Sequence, residues 1–299
     1  MNSRTFVKTG RALMHFRNKP YARMLAEFWR RYRKDKPAVA GLLILAFLVL
    51  VGSAASVIAP GDPLRVGEEL LVPPSSKYLM GTDNLGRDVL RWVVHGSRIS
   101  LLVGFLAAIT STAIGIAVGS ISGYYGGKLD DLLMRLTEIF QVIPRFFLAM
   151  LIVALFGAAV INVIFVIAIV TWPVTARLVR AEFMTLRETE FVLAARAVGA
   201  SDRSLIFGDI LPNVMPPVIV NGSLQVGAAI LLEAGLSFLG LGDPNIASWG
   251  MLLNTAQKFL VYSWWVAVFP GIAIFASVLA INLVGDGLND ALNPRLKEK

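Results

Sequence analysis

Five stretches of this 299-residue chain run for at least 23 residues without a charged side chain: 37–60, 99–127, 146–176, 210–232 and 259–285. A bilayer core about 30 Å thick is crossed by roughly 20 mostly apolar residues in a helix. Only helices and closed barrels satisfy their own backbone polar groups there. The 31-residue run 146–176 is too long for one span and too short for two. Two helices fit if the first begins near Met134, takes in Glu138 and Arg145, and turns at Gly157-Ala158-Ala159. The next then ends near Leu178, and the run 210–232 continues past Glu233 to about Leu239. The expectation is an all-α, polytopic membrane protein with six transmembrane helices. A charged fraction of 16% agrees, since soluble domains run nearer a quarter.

The net charge of +8 is unevenly placed. Residues 1–36 hold eleven basic and two acidic side chains, and the remainder is close to neutral. A chain basic only at its start is poorly matched to nucleic acid and well matched to membrane topology. With the N-terminus inside, the inner segments 1–36, 128–135, 177–212 and 286–299 hold 21 of the 28 basic residues. The outer segments 61–98 and 240–258 hold six. The positive-inside bias puts both termini in the cytoplasm. Within residues 21–34, Met24, Leu25, Phe28, Trp29 and Tyr32 share one helical face, with Arg23, Arg30, Arg31, Arg33 and Lys34 around the rest. Such a helix lies in the headgroup layer. Ser53 and Ala55 mimic a signal-peptidase site, but the long basic lead and span-length apolar run argue against cleavage. The chain divides into a basic segment 1–36 with this interfacial helix, a first span 37–60 and an outer loop 61–98. A transmembrane core 99–289 and a cytoplasmic tail 290–299 follow.

Chemistry is bounded by what is missing. There is no cysteine and there are two histidines, His15 and His95, so thiolate catalysis and multi-histidine metal sites are excluded. The glycines before Lys128 resemble a phosphate loop, but Ser122 stands at its first glycine position and Leu129 follows the lysine. No catalytic residue, metal site or nucleotide site is expected, and the chain is not read as an enzyme. Charges inside spans are costly and hint at function. Arg145 faces a polar pathway or pairs with a neighbouring helix, deeper along the same helix than the Arg135–Glu138 pair. Glu233 sits near the outer end of the fifth span, where it reaches water or touches substrate. Gly115, Gly119 and Gly123 form a groove for close helix approach.

The loop 180–212 carries structure of its own. It is helix-forming through Ala197, breaks at Gly199 and stops at Pro212, which predicts two short helices on the cytoplasmic face. A loop of that length is more often a docking surface than a passive link.

Ala194-Ala195-x3-Gly199 followed by Leu211-Pro212 resembles the EAA loop of inner-membrane subunits of bacterial ABC importers, with Leu193 where Glu is usual and Asp209 where Ile is usual. Four further segments resemble the dipeptide, oligopeptide and nickel branch in the same order. They are Gly81-Thr82-Asp83-Asn84-Leu85-Gly86-Arg87-Asp88, Gly123-Tyr124-Tyr125-Gly126, Glu233 to Gly242 with Ser248-Trp249-Gly250, and Gly285-Asp286-Gly287 with Pro294-Arg295. The match is nearest the second permease subunit type. The resemblance implies a bacterial or archaeal inner membrane, a homologous second permease as heterodimer partner, two cytoplasmic ATPase subunits and an extracytoplasmic binding protein. ATP and magnesium would be bound by the ATPases, with no cofactor in this chain. Glu190, Phe191, Ala194, Ala195, Arg196, Gly199, Ala200, Ser201, Leu211 and Pro212 would form the ATPase-docking segment. Asp83, Arg87 and Asp88 would serve binding-protein docking, or tie the outer loop internally. The substrate expected from this branch is a di- or oligopeptide, with nickel chelates, glutathione-like compounds and other small solutes as alternatives. A channel or secondary transporter is disfavoured by the structured loop and the few intramembrane charges.

Overall fold

Asp35 starts the first membrane helix of the computed structural model, which describes residues 26–292. Its carboxylate accepts the Ala38 amide at 3.1 Å, and Pro37 occupies the first turn, where its missing N–H has no intrahelical partner to lose. This helix, α1 (Lys36–Ser53), is apolar all round and leaves Leu43, Phe47 and Leu50 exposed. Ahead of it, residues 26–32 are helical, and Phe28 and Tyr32 pack with Ala38, Leu288 and Ala291. The Tyr32 hydroxyl donates to the Ala38 carbonyl at 3.2 Å. Burial, with Asp35 adding to it, raises its pKa and keeps it a donor. Met24 and Leu25, like Pro294 and Arg295, lie outside the described residues.

The next helix, α2 (Val89–Tyr125), begins ten residues before the uncharged run does. The Asp88 carboxylate accepts the Leu90 amide at 2.9 Å and caps it. At about 1.5 Å per residue, α2 is roughly 55 Å long, well beyond the bilayer core.

One expectation fails after α2. In place of a straight helix from Met134 through Arg145 there are two, α3 (Gly127–Val142) and α4 (Arg145–Phe156), bent by 88°. Pro144 is the cause: the residue before it, Ile143, is forced extended, with φ −85° and ψ 129°. Arg145 is therefore the first residue of the second limb, not two turns deeper on the helix that bears Glu138. The turn at residues 157–159 is as read, with Gly157 at φ +92°.

Helix α5 (Val160–Leu186) runs past Leu178, and its Arg177 and Arg180 find partners on α3, in Gln141 and Asp130. The short α6 (Glu190–Ala197) follows. From Asp202 the chain is helical through Leu239 and kinks at Gly240, where φ is +83°, so that the span Asp202–Leu241 covers 40 residues. It passes through a π-helical turn, Leu205–Ile210, into α7 (Leu211–Leu236), and out through a second, Ser237–Leu241. Pro212 does not stop the helix, contrary to the expectation above. It sits where the π-helical turn Leu205–Ile210 passes into α7, and such a local change of helical register accommodates a proline inside a continuous helix. Helix α8 (Trp249–Ala256) and the last span, α9 (Trp265–Leu292), complete the chain. Among the described residues five helices are long and apolar enough to cross a membrane, with α3 and α4 as a bent sixth, and no strand forms.

The bundle is organised on α2. A Cβ added at Gly115 would lie 2.5 Å from the Thr175 Cβ, and one at Gly123 would lie 2.6 Å from the Phe183 Cβ. At Gly119 it would collide with the Ala176 carbonyl. The glycine row is therefore the seam on which α5 rides. On other faces of α2, Gly104 receives Ile230 of α7, and Gly96 receives the ring of Trp249, which is fully buried.

Candidate coupling and transport sites

The chain leaves α5 at Leu186 and returns at Leu205, and both arms are tied to the end of α2. Before the loop, Arg187 donates through Nη1 to the carbonyls of Gly123 at 3.0 Å and Tyr124 at 3.2 Å, satisfying terminal acceptors of α2. After it, the Tyr124 hydroxyl donates to Asp202 Oδ1 at 2.6 Å. Arg196 of α6 lies with its guanidinium carbon 6.0 Å from the Tyr124 ring centre. Val192, Leu205, Ile206 and Ile210 form a buried cluster with Phe183 and Val214, so the loop has its own core.

This core decides which side chains point out. Glu190, Phe191, Ala194, Arg196, Gly199 and Ser201 are exposed, as is Pro212, while Ala195, Ala200 and Leu211 are half-buried against the cluster. Gly199 adopts φ +89°, and a Cβ there would meet nothing within 4 Å. The position demands the left-handed conformation that glycine adopts at little cost, not space. The Ser201 hydroxyl then accepts the Ser204 amide at 3.3 Å and starts the returning helix. The sequence placed the break at Gly199 and the short helix before it, but the second helix is not short, since it runs on through Pro212 into α7, and there was no sign that Tyr124 and Asp202 meet.

A second junction braces the same end. Asp130 of α3 receives Nε of Arg180 at 2.5 Å and Nη2 at 2.6 Å, and also accepts from the Ser122 hydroxyl.

In the loop at the other end, Asp83 is 1% exposed. Its Oδ2 receives Arg87 Nε at 2.6 Å, and its Oδ1 receives the Leu85 and Arg87 amides, each at 2.9 Å. The Arg87 guanidinium stacks 4.2 Å over the Trp92 ring. Asp83, Arg87 and Asp88 therefore hold one turn together, and Trp265 fastens it by donating to the Thr82 carbonyl at 3.0 Å. The exposed side chains on this loop include the apolar Val66, Leu70, Leu79 and Leu85 and the charged Arg65, Glu68, Glu69 and Lys77.

Glu233 does not reach water. It is 4% exposed, accepting from Ser237 at 2.8 Å and from Ser100 at 3.3 Å. The fifth helix continues through Ser237–Leu241 and folds α8 over it, which removes the expected outlet. Arg145 is exposed at the α3–α4 elbow, beside a groove of about 360 Å³ that Gln141, Val170 and Pro173 also line.

Between these ends lies a polar seam that sequence reading missed. Thr171 donates to Ser111 at 2.9 Å, Ser111 to Gln225 at 3.1 Å, and Asn221 to Thr175 at 3.0 Å. The Gln225 amide also donates to Thr175. Lone hydroxyls and amides in apolar helices give no periodic signal. Their joint occurrence in three uncharged runs is the clue that could have been used, because such groups seek one another across helices.

The fold and the tied loop define a membrane-embedded transport subunit. The family model for the binding-protein-dependent transport system inner membrane component matches residues 115–298. That for the N-terminal transmembrane domain of oligopeptide transport permease C matches residues 23–74. The chain is 42% identical over 285 residues to the di/tripeptide transport system permease protein DppC of Pseudomonas aeruginosa, covering 93% of this chain and 94% of that one. It is 39% identical over 274 residues to the glutathione transport system permease protein GsiD of Pectobacterium atrosepticum, covering 91% of each. A chain of the MetNI methionine ABC transporter, solved in inward-facing conformations, shares the fold with TM-score 0.57 and 19% identity over 68% of this chain and 96% of that one. The protein belongs to the binding-protein-dependent transport system inner membrane component family. It is a multi-pass inner-membrane permease of the ABC importer type, whose ATPase activity lies in separate subunits.

Proposed function

We propose that this chain forms half of the translocation pathway of a peptide importer, with both termini and the 187–210 loop in the cytoplasm. A homologous permease supplies the other half. Of the importer's two ATPase subunits, one engages residues 190–203 with Leu211 and Pro212, and an extracytoplasmic binding protein delivers di- or oligopeptides to the opposite end. The observation that carries this reading is the loop itself. Its buried core and its bonds to α2 hold an exposed face made of Glu190, Phe191, Ala194 and Arg196. An ordered projection tied at both arms to a membrane helix is what a mechanical coupling needs.

At the outer end, Asp83, Arg87 and Asp88 shape the loop that meets the binding protein, and its exposed apolar side chains make the contact. Trp29 is exposed beside the buried Tyr32, which suits a helix resting on the inner leaflet. Arg145 lines the pathway at the elbow groove.

The test is assembly and turnover in the complete importer. Phe191→Cys should cross-link to an ATPase subunit, and Gly199→Arg should abolish transport while leaving the chain in the membrane. Intact transport and coupling in Gly199→Arg would sink the docking assignment. Peptides are the favoured substrate through the DppC relatives, and glutathione is the second reading through GsiD. Competition for uptake between a dipeptide and glutathione, with the cognate binding protein, separates them.

A further inference from the structure

Three of the long spans contain an internal proline: Pro173 in α5, Pro216 and Pro217 in α7, and Pro270 in α9. Each removes a backbone hydrogen bond and gives its helix a point of bending. Helix α2 has none over 37 residues. It is also the helix that reaches both working ends. At one end Tyr124 meets Asp202, and Arg187 binds the Gly123 and Tyr124 carbonyls. At the other, Trp92 Nε1 donates to the Ser248 carbonyl and Trp249 Nε1 to the Val93 carbonyl, each at 2.9 Å, and Asp88 joins the helix to the outer loop.

We propose that α2 is the rod that carries movement from the docked segment to the outer face, and that the Tyr124–Asp202 hydrogen bond is its latch. This rests on the reading of residues 190–203 as the ATPase-docking segment. The apolar cluster under α6 holds the loop against the bundle, but apolar contacts are non-directional and permit sliding. A hydroxyl bonded to a carboxylate at 2.6 Å fixes direction and distance. Asp202 is exposed and begins the returning helix, so displacement of the docked segment reaches it before it reaches the buried core. Tyr124 is buried and directly follows Gly123, the last glycine of the row that locks α2 to α5. A pull on its hydroxyl is therefore delivered to the helix as a whole. Both residues act through position; neither touches the substrate.

The natural chain has no cysteine, which makes single-cysteine probes clean. The experiment uses the complete importer in nanodiscs with its binding protein and takes three readouts. These are the Phe191→Cys cross-link to the ATPase, the ATP-dependent signal of a label on Leu79→Cys in the outer loop, and substrate transported per ATP hydrolysed. Tyr124→Phe and Asp202→Ala should each reduce the second and third about three- to tenfold, the range one ordinary intramolecular hydrogen bond supports, since Asp202 is exposed to water. The cross-link should be unchanged, and the double variant should be no worse than either single. Asp202→Asn keeps an acceptor oxygen and should retain most of the coupling. Full outer-loop signal and full transport per ATP in Tyr124→Phe would overturn the latch. So would loss of assembled complex with an unchanged transport-to-ATP ratio, which would make the pair a packing contact. A parent complex that gives no cross-link at Phe191 overturns the docking reading, and the direction of transmission argued here with it.

Discussion

Arg180 grips Asp130 with two parallel bonds, Nε to Oδ1 at 2.5 Å and Nη2 to Oδ2 at 2.6 Å, joining α5 to the start of α3 across 50 residues. The two bonds set the orientation of guanidinium and carboxylate toward each other, which a single lysine ammonium could not do. Side-chain exposures of 31% and 11% place the pair between a surface bridge and a buried one. Arg180→Ala should lower stability by about 1–3 kcal/mol, since it leaves a largely desolvated carboxylate with Ser122 as its remaining partner. Thermal melting of the detergent-solubilised complex should fall by about 3–8 °C. Arg180→Lys should recover only part of that loss. An unchanged melting temperature in Arg180→Ala would show that the fork is dispensable.

The glycine seam between α2 and α5 yields a graded prediction. A methyl group at residue 119 meets the Ala176 carbonyl and the Val179 Cβ, both on a rigid helix. Gly119→Ala should destabilise by about 1–3 kcal/mol through overpacking, and Gly119→Leu should prevent assembly. Gly271→Ala is the control, because a Cβ there has nothing within 4 Å. Expression and melting of the three variants decide it, and equal behaviour of Gly119→Ala and Gly271→Ala would contradict the seam.

The spans were legible because absence of charge over membrane length has few other causes. Their ends were not, and in each case a charged or special residue misled. Arg91 and Arg98 hid the first three turns of α2, yet they sit beyond the apolar run where a helix capped by Asp88 can still extend. Arg180 read as the end of a span, but its partner is 50 residues away in α3. Pro212 read as a stop because proline usually ends a helix, and here the π-helical turn before it carries the helix through. Pro144 read as part of a helix, and it breaks one. The loop's break at Gly199 was readable from local chemistry alone. Tyr124–Asp202 and the Ser111–Thr171–Gln225 seam were not, since they exist only once α2, α5 and α7 are assembled.

Glu233 bonds Ser237 on its own helix and Ser100 on α2, and Ser100 in turn accepts the Trp249 amide at 3.3 Å. Its side chain thus pins α8 to the bundle through one shared hydroxyl. Glu233→Gln keeps a carbonyl acceptor and the same volume, and should cost about 1 kcal/mol or less. Glu233→Ala removes both acceptors and opens a void beside the small cavity lined by Ile99, Val103 and Ser248. It should cost about 2–4 kcal/mol. The readout is melting temperature together with protease sensitivity of the α8 segment. Both should change far more in the alanine variant, and a reversed order would mean that the charge itself, not the acceptors, holds the segment.

Gly199 separates conformational demand from space. Its φ of +89° is unfavourable for residues with a Cβ, while a Cβ there would touch nothing. Every small substitution should therefore act through backbone strain alone, and the order of effect follows left-handed preference. Gly199→Asn should be mildest, Gly199→Ala should cost about 1 kcal/mol, and the β-branched Gly199→Val should cost most, about 2 kcal/mol or more. If the turn presents the ATPase-docking face, transport per ATP hydrolysed should fall in that same order. The global melting temperature should fall in that same order by only a few degrees, because the strain is local and the buried cluster beneath α6 is untouched by these changes. Equal transport in the asparagine and valine variants would show that the turn's geometry is irrelevant to coupling. A fall ordered by side-chain volume, with alanine milder than asparagine, would show instead that the open space beside Gly199 is filled by the docked partner.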